Sequence, residues 1–266
     1  MYLRHSCYLP YCIEVEEVHS SRYGKKGYKR MAKEKPTGEQ MAAANERRRI
    51  KRLYWILATN FDFGDYHAVL TYKKEQRPDP EEAKVRLRKF FRKLKKAYKD
   101  LGEELKYVVV TEYKRAAIHH HLIVNEIGRT AQMIKKLWPY GGTHFTPIYE
   151  NGEVKDLAAY LIKETKNSFR DPDNPSKLSY SCSRNLKKPE IKTKVIKADA
   201  WRKEPVPPAG YQIRKSDIVS GINGMGYPYR YYTMVRYEEN QEQDGWIRPR
   251  KRRNGNKTDT GGIPPD

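Results

Sequence analysis

The sequence predicts an α+β fold built on a split β-α-β unit of the ferredoxin-like or RRM-like kind: an antiparallel sheet with helices on one face, followed by a C-terminal extension. Three observations carry that expectation. Apolar period-2 runs and helical period-3.6 stripes alternate from residue 66 to residue 166 in the order strand, helix, strand, strand, helix, strand, helix. Two β-branched runs, Tyr107–Glu112 and Ile118–Asn125, are separated only by Tyr113–Ala117, which reads as an antiparallel hairpin. Turn residues punctuate the elements where the unit needs them, at Gly64-Asp65, Pro139–Gly142 and Asn151-Gly152.

In chain order, residues 1–39 carry no clear periodicity and read as a basic, flexible arm, with Ser20–Lys35 able to touch phosphates. His5, Cys7, Cys12 and His19 match no common zinc spacing. Ala42, Arg49, Leu53, Ile56 and Leu57 recur at helical spacing and predict a helix over 39–59. Tyr66–Tyr72 reads as a strand. Asp79 as N-cap and Pro80 in the first turn start a second helix, running to about Lys99, with Leu87, Phe91, Leu94 and Tyr98 as its apolar stripe. Its lysines and arginines read as a solvated face.

After the hairpin, Thr130 caps a short helix reaching Trp138, Thr143–Tyr149 forms a strand, and a helix covers about 153–166. Residues 168–239 read as an extension packing on this unit. Within it lie a 171–175 linker, Trp201-Arg202 before a proline-rich connection, and the aromatic strand-like run Tyr227–Tyr237. Residues 240–266 read as a disordered basic tail.

Composition points to a polyanionic partner. The chain has 266 residues, with 54 Lys and Arg against 33 Asp and Glu, a formal charge of +21. Such an excess favours nucleic acid, because cationic side chains replace the counterions of phosphates. Twenty-one tyrosines add faces on which unpaired bases stack. Three cysteines make no disulfide framework. With no 18-residue apolar run and no secretory pattern, the expectation is a protein without membrane association, in the cytoplasm of a bacterial host cell. No Gly-x-x-x-x-Gly-Lys-Ser/Thr stretch appears, so strand separation would fall to a host helicase.

The chemistry concentrates in three places. Side chains alternate along a strand, so His119 and His121 share one face while Ile118, His120 and Leu122 share the other. With Glu112 on the neighbouring strand, two imidazoles and one carboxylate make a donor set for Mg²⁺ or Mn²⁺. On the last helix, Val154, Leu157, Ala158, Leu161 and Ile162 form the core stripe, and Tyr160 and Lys163 fall opposite, on the polar side. A phenol beside a lysine and a bound cation loses its proton more readily and can attack phosphorus.

These motifs resemble those of the HUH endonucleases, and among them the single-tyrosine rolling-circle replication initiators (Rep proteins) of plasmids and phages. Ala68–Tyr72 is similar to the family's first motif, an apolar strand ending in Thr. His119-His120-His121 is similar to the second, His-hydrophobic-His, with histidine in the middle position. Tyr160-Leu161-Ile162-Lys163 is similar to the third, Tyr-x-x-Lys on a helix. Glu164 stands where two-tyrosine members place a second tyrosine. The resemblance covers residues 40–167. It implies a metal held by Glu112, His119 and His121, and attack by Tyr160 on single-stranded DNA at an origin. The products are a 5′-phosphotyrosine and a 3′-OH for the host polymerase, with Lys163 steadying the phosphate. Lys114 and Arg115 beside the site, and Arg184, Lys187 and Lys188 further on, are the expected DNA contacts. The alternatives are a transposase or relaxase of the same superfamily, or a non-catalytic nucleic-acid-binding protein.

Overall fold

The structure is a computed structural model. It describes residues 1–20, 37–114, 117–148, 151–170, 179–197, 204–222 and 227–237. The expected basic arm beyond Ser20, the 171–175 linker, Trp201-Arg202 and the basic tail lie outside these residues.

Two antiparallel sheets are joined by helices. The sheet that carries the histidines has the order β6-β3-β5-β4-β7, from β3 (Tyr66–Leu70), β4 (Tyr107–Lys114), β5 (Ala117–Val124), β6 (Thr143–Pro147) and β7 (Ser181–Cys182). Its neighbouring strands are antiparallel throughout. β3 and β4 therefore run the same way with β5 between them, and α2 (Pro80–Asp100) links them as the split β-α-β expectation requires. α2 begins where Asp79 accepts a hydrogen bond from the Glu82 amide and Pro80 fills the first turn. α3 (Thr130–Leu137) connects β5 to β6, and α4 (Asn151–Arg170) follows β6. Thr130 is the first residue of α3 rather than its cap; its hydroxyl accepts from the Ile127 amide.

Helices cover both faces of this sheet, not one. α2 and α3 bury Phe90, Leu94, Tyr98, Ile134 and the following Trp138 against Ala68, Leu70, Val109, Leu122 and Val124. On the other face, α4 and α1 (Gly38–Asn60) bury Ala158, Leu161, Leu53 and Leu57 against Val108, Val110 and Ile123. Each fully buried leucine of this kind contributes about 1.5–3 kcal/mol. The second layer arises because α1 and α4 flank the β-α-β-β-α-β unit in sequence and return together to its uncovered side.

The N-terminal residues are the main departure from the sequence reading. Residues 2–19 are not an unstructured arm: β1 (Tyr2–Tyr8) and β2 (Cys12–His19) form a hairpin inside a second sheet. β1 pairs with β8 (Glu190–Ile196), and β2 with β11 (Pro228–Arg236). β11 also carries β9 (Tyr211–Ile213) and β10 (Val219–Ile222). The acidic look of β2 hid the strand. Glu17, fully buried, accepts hydrogen bonds from Arg4 and Arg230. Glu14 accepts from Trp55 and Tyr231, and Glu16 from Lys51. α1 thus joins the sheets, with its polar side gripping β2 and its apolar side facing β4 and β5.

The β3–β6 edge is closed by a glycine. Beyond β3 the Thr71 amide donates to Gly142, and the Lys73 amide donates to Tyr140. A Cβ on Gly141 would overlap the Thr71 carbonyl and the Tyr72 backbone, whereas one on Gly38 meets nothing. Gly141→Ala should cost more than about 2 kcal/mol in urea unfolding and Gly38→Ala less than about 1 kcal/mol. Equal midpoints for the two variants would contradict this packing.

Candidate metal centre

The site follows from hairpin register. β4 and β5 pair so that Glu112 lies directly opposite His119 and Val110 opposite His121. With side chains alternating, Glu112, His119 and His121 all point to the face covered by α1 and α4. Glu112 Oε2 lies 2.6 Å from His119 Nε2 and 3.7 Å from His121 Nε2. One ligand atom from each of the three lies within 4.8 Å of the others. Glu112 and His121 are buried and His119 is partly open, so the cluster is reached from the His119 side.

Two imidazole nitrogens and a carboxylate oxygen, convergent and largely withdrawn from water, fit a divalent cation. The identity of the ion is not set by these residues. A histidine offering Nε2 to a cation carries its proton on Nδ1 and needs an acceptor there. His121 has one: its Nδ1 is 3.1 Å from His67 Nε2. His67 sits on β3, two residues before Val69, which is opposite His121. Burial, aided by His121 and His144, lowers the His67 pKa to about 4, which keeps that ring neutral and able to accept.

His120 points the other way, as the alternation predicts. It is fully buried between Tyr72, 2.9 Å from Nε2, and Thr111, 2.8 Å from Nδ1. Burial lowers its pKa to about 3, so it serves as a neutral core polar group.

Tyr160 borders this centre. Its helix buries Val154, Ala158, Leu161 and Ile162, and its ring, 43% exposed, stands edge-on to His121 with centroids 5.5 Å apart. The sequence reading placed it away from the core stripe. It is instead one position, or about 100°, from buried Leu161, on a flank from which a long side chain reaches the rim of the sheet. Lys163 is exposed almost one turn further along α4.

The expected DNA contacts are scattered. Lys114 ends β4, two residues beyond Glu112, and Arg115 lies outside the described residues. Arg184, Lys187 and Lys188 are exposed but gather at the opposite end of β4. There the Ser183 amide donates to Tyr107, and the Lys187 amide donates to Asn60 at the end of α1. Sequence reasoning missed His67, because a single strand histidine carries no signal until the β3–β5 register is known.

Residues 65–169 match the model of a protein family described as replication-associated protein, of the ORF2 type. The matched segment is less than half of the chain, and it contains Glu112, His119, His121, Tyr160 and Lys163. No curated protein and no solved structure matches the chain. The family match points to a role in replication. No described helix is long and apolar enough to cross a membrane.

Titration calorimetry with Mn²⁺ checks the donor set. The protein should bind one ion and Glu112→Ala none. His67→Ala should bind about 10–100-fold more weakly, with Tyr160→Phe unchanged. A His67→Ala isotherm that overlays that of the unaltered protein would remove His67 from the account.

Proposed function

We propose that the protein is a rolling-circle replication initiator that nicks and rejoins single-stranded DNA at an origin. The observation that carries this reading is the convergence of Glu112, His119 and His121 within 4.8 Å beside the ring of Tyr160, inside the segment that matches a replication-associated family. A Mg²⁺ or Mn²⁺ ion held by the three donors would act as a Lewis acid toward the scissile phosphodiester.

The phenolic oxygen of Tyr160 gives up its proton and attacks phosphorus. The new bond joins that phosphorus to tyrosine, and the bond to the 3′ oxygen breaks, leaving a 3′-OH once that oxygen takes up a proton. Tyrosine then holds the 5′ side of the cut, and attack by a 3′-OH reverses the step and rejoins a strand. His121, edge-on to the phenol, helps set its position. The ammonium of Lys163 steadies negative charge on phosphate or tyrosinate. Host helicase and polymerase complete the cycle, since this chain carries no P-loop motif.

The test uses 5′- and 3′-labelled single strands drawn from the protein's replicon, with Mn²⁺ or with EDTA, resolved on a denaturing protein gel. The expected product is a metal-dependent covalent adduct carrying the 3′-side fragment, reduced to background in Tyr160→Phe and slowed about 10²-fold in Lys163→Gln. A persistent adduct in Tyr160→Phe would move the nucleophile elsewhere. Intact binding with no adduct on any strand would leave a non-catalytic binding protein.

A further inference from the structure

The outward side of α2 carries one sign of charge. Between Glu82 and Asp100 the helix has no carboxylate. Opposite its buried stripe of Ala83, Phe90, Leu94 and Tyr98, the side chains of Arg88, Lys89, Arg92, Lys93, Lys96 and Lys99 are exposed. The ion pairs described on this helix, Lys84–Glu81 and Arg86–Glu82, belong to its first two turns. Beyond Arg86 none is present among the described residues.

A merely solvated helix gains from opposite charges four residues apart and loses from like ones. Here Arg88 and Arg92, Lys89 and Lys93, and Arg92 and Lys96 are all like pairs at that spacing. The helix keeps this self-repulsion over three turns, and a polyanion relieves it.

We infer that the exposed face of α2 binds the phosphate backbone of double-stranded DNA, independently of base sequence. From Arg88 to Lys99 the stripe spans about 16 Å at 1.5 Å per residue. Over that length a duplex presents roughly ten phosphate charges, one per about 1.7 Å of axis. The face suits a duplex better than a single strand because it offers no stacking platform. Phe90 and Tyr98 are buried, and Phe91 is stacked on Tyr107 with centroids 3.9 Å apart.

The placement also fits. α2 lies on the side of the sheet opposite Glu112, so a duplex there leaves the metal centre open. Its first turns sit at the end of the sheet that carries the centre. The Arg86 guanidinium lies 4.7 Å from the Tyr140 ring and 5.7 Å from that of Tyr72, and the Tyr72 hydroxyl reaches His120. A duplex along α2 thus ends beside the site that the unpaired strand would enter. Duplex binding of this kind does not depend on the nicking chemistry.

The test is fluorescence anisotropy of the full chain with a short blunt duplex of unrelated sequence, without metal, across a series of salt concentrations. In Arg88→Gln/Lys89→Gln/Arg92→Gln/Lys96→Gln, the slope of log K against log salt should fall in magnitude by about 2–4. Duplex affinity should drop at least about tenfold and single-strand affinity less than roughly threefold. Glutamine keeps helix propensity, so far-UV circular dichroism and Tm should be retained. The smaller variant Arg92→Gln/Lys96→Gln should show about half the change in slope. Removing three exposed lysines of another edge, in Lys192→Gln/Lys194→Gln/Lys197→Gln, should leave the slope in place. An unchanged slope in the α2 variants overturns the inference. So does an equal loss in the β8-edge control, which would make the effect one of net charge, or an equal loss for single strands.

Discussion

The register of the β4–β5 hairpin is the constraint on which the site depends. Glu112 faces His119 across the pair, and the two-residue repeat of a strand puts His121 on the same side. A slip of one residue would turn both imidazoles to the α2 face and place His120 where the metal donors belong. Two sets of contacts hold the register. Val109, Leu122 and Val124 are locked under α2, while Val108, Val110 and Ile123 are locked under α1 and α4. His120 adds a polar lock through Tyr72 and Thr111. The middle histidine of the trio therefore keeps its neighbours pointing the right way.

α1 is the second organising element. It buries Leu53 and Leu57 toward the histidine sheet, and it holds the second sheet through Trp55 to Glu14 and Lys51 to Glu16. Asn60, at its end, both accepts from the Lys187 amide and donates to the Lys187 carbonyl, fixing the segment that leads into β8. The N- and C-terminal parts of the chain thus form one layer, and α1 presses that layer against the layer that carries the metal centre.

Much of the histidine sheet was legible because its information is local. The Asp79-Pro80 start of α2, the valine run of β4 and the His-His-His repeat each declare an element, and period-2 alternation sorted His119 and His121 from His120. What stayed hidden depended on partners far away in the chain. Glu17 makes β2 look soluble until Arg230, 213 residues later, neutralises it. His67 looks idle until the β3–β5 register sets it diagonally beside His121. The helical wheel assigned Tyr160 to the polar side correctly, but it could not show that this flank borders the sheet.

The central claim is that these residues form one metal-dependent site with Tyr160 at its edge. Crystals of the protein grown with Mn²⁺ and a short single strand, measured at the manganese absorption edge, test it most directly. The account predicts one anomalous peak ligated by Glu112, His119 and His121, with a phosphate between that peak and the Tyr160 hydroxyl. A peak held by other residues, or a strand whose backbone passes far from Tyr160, would contradict it.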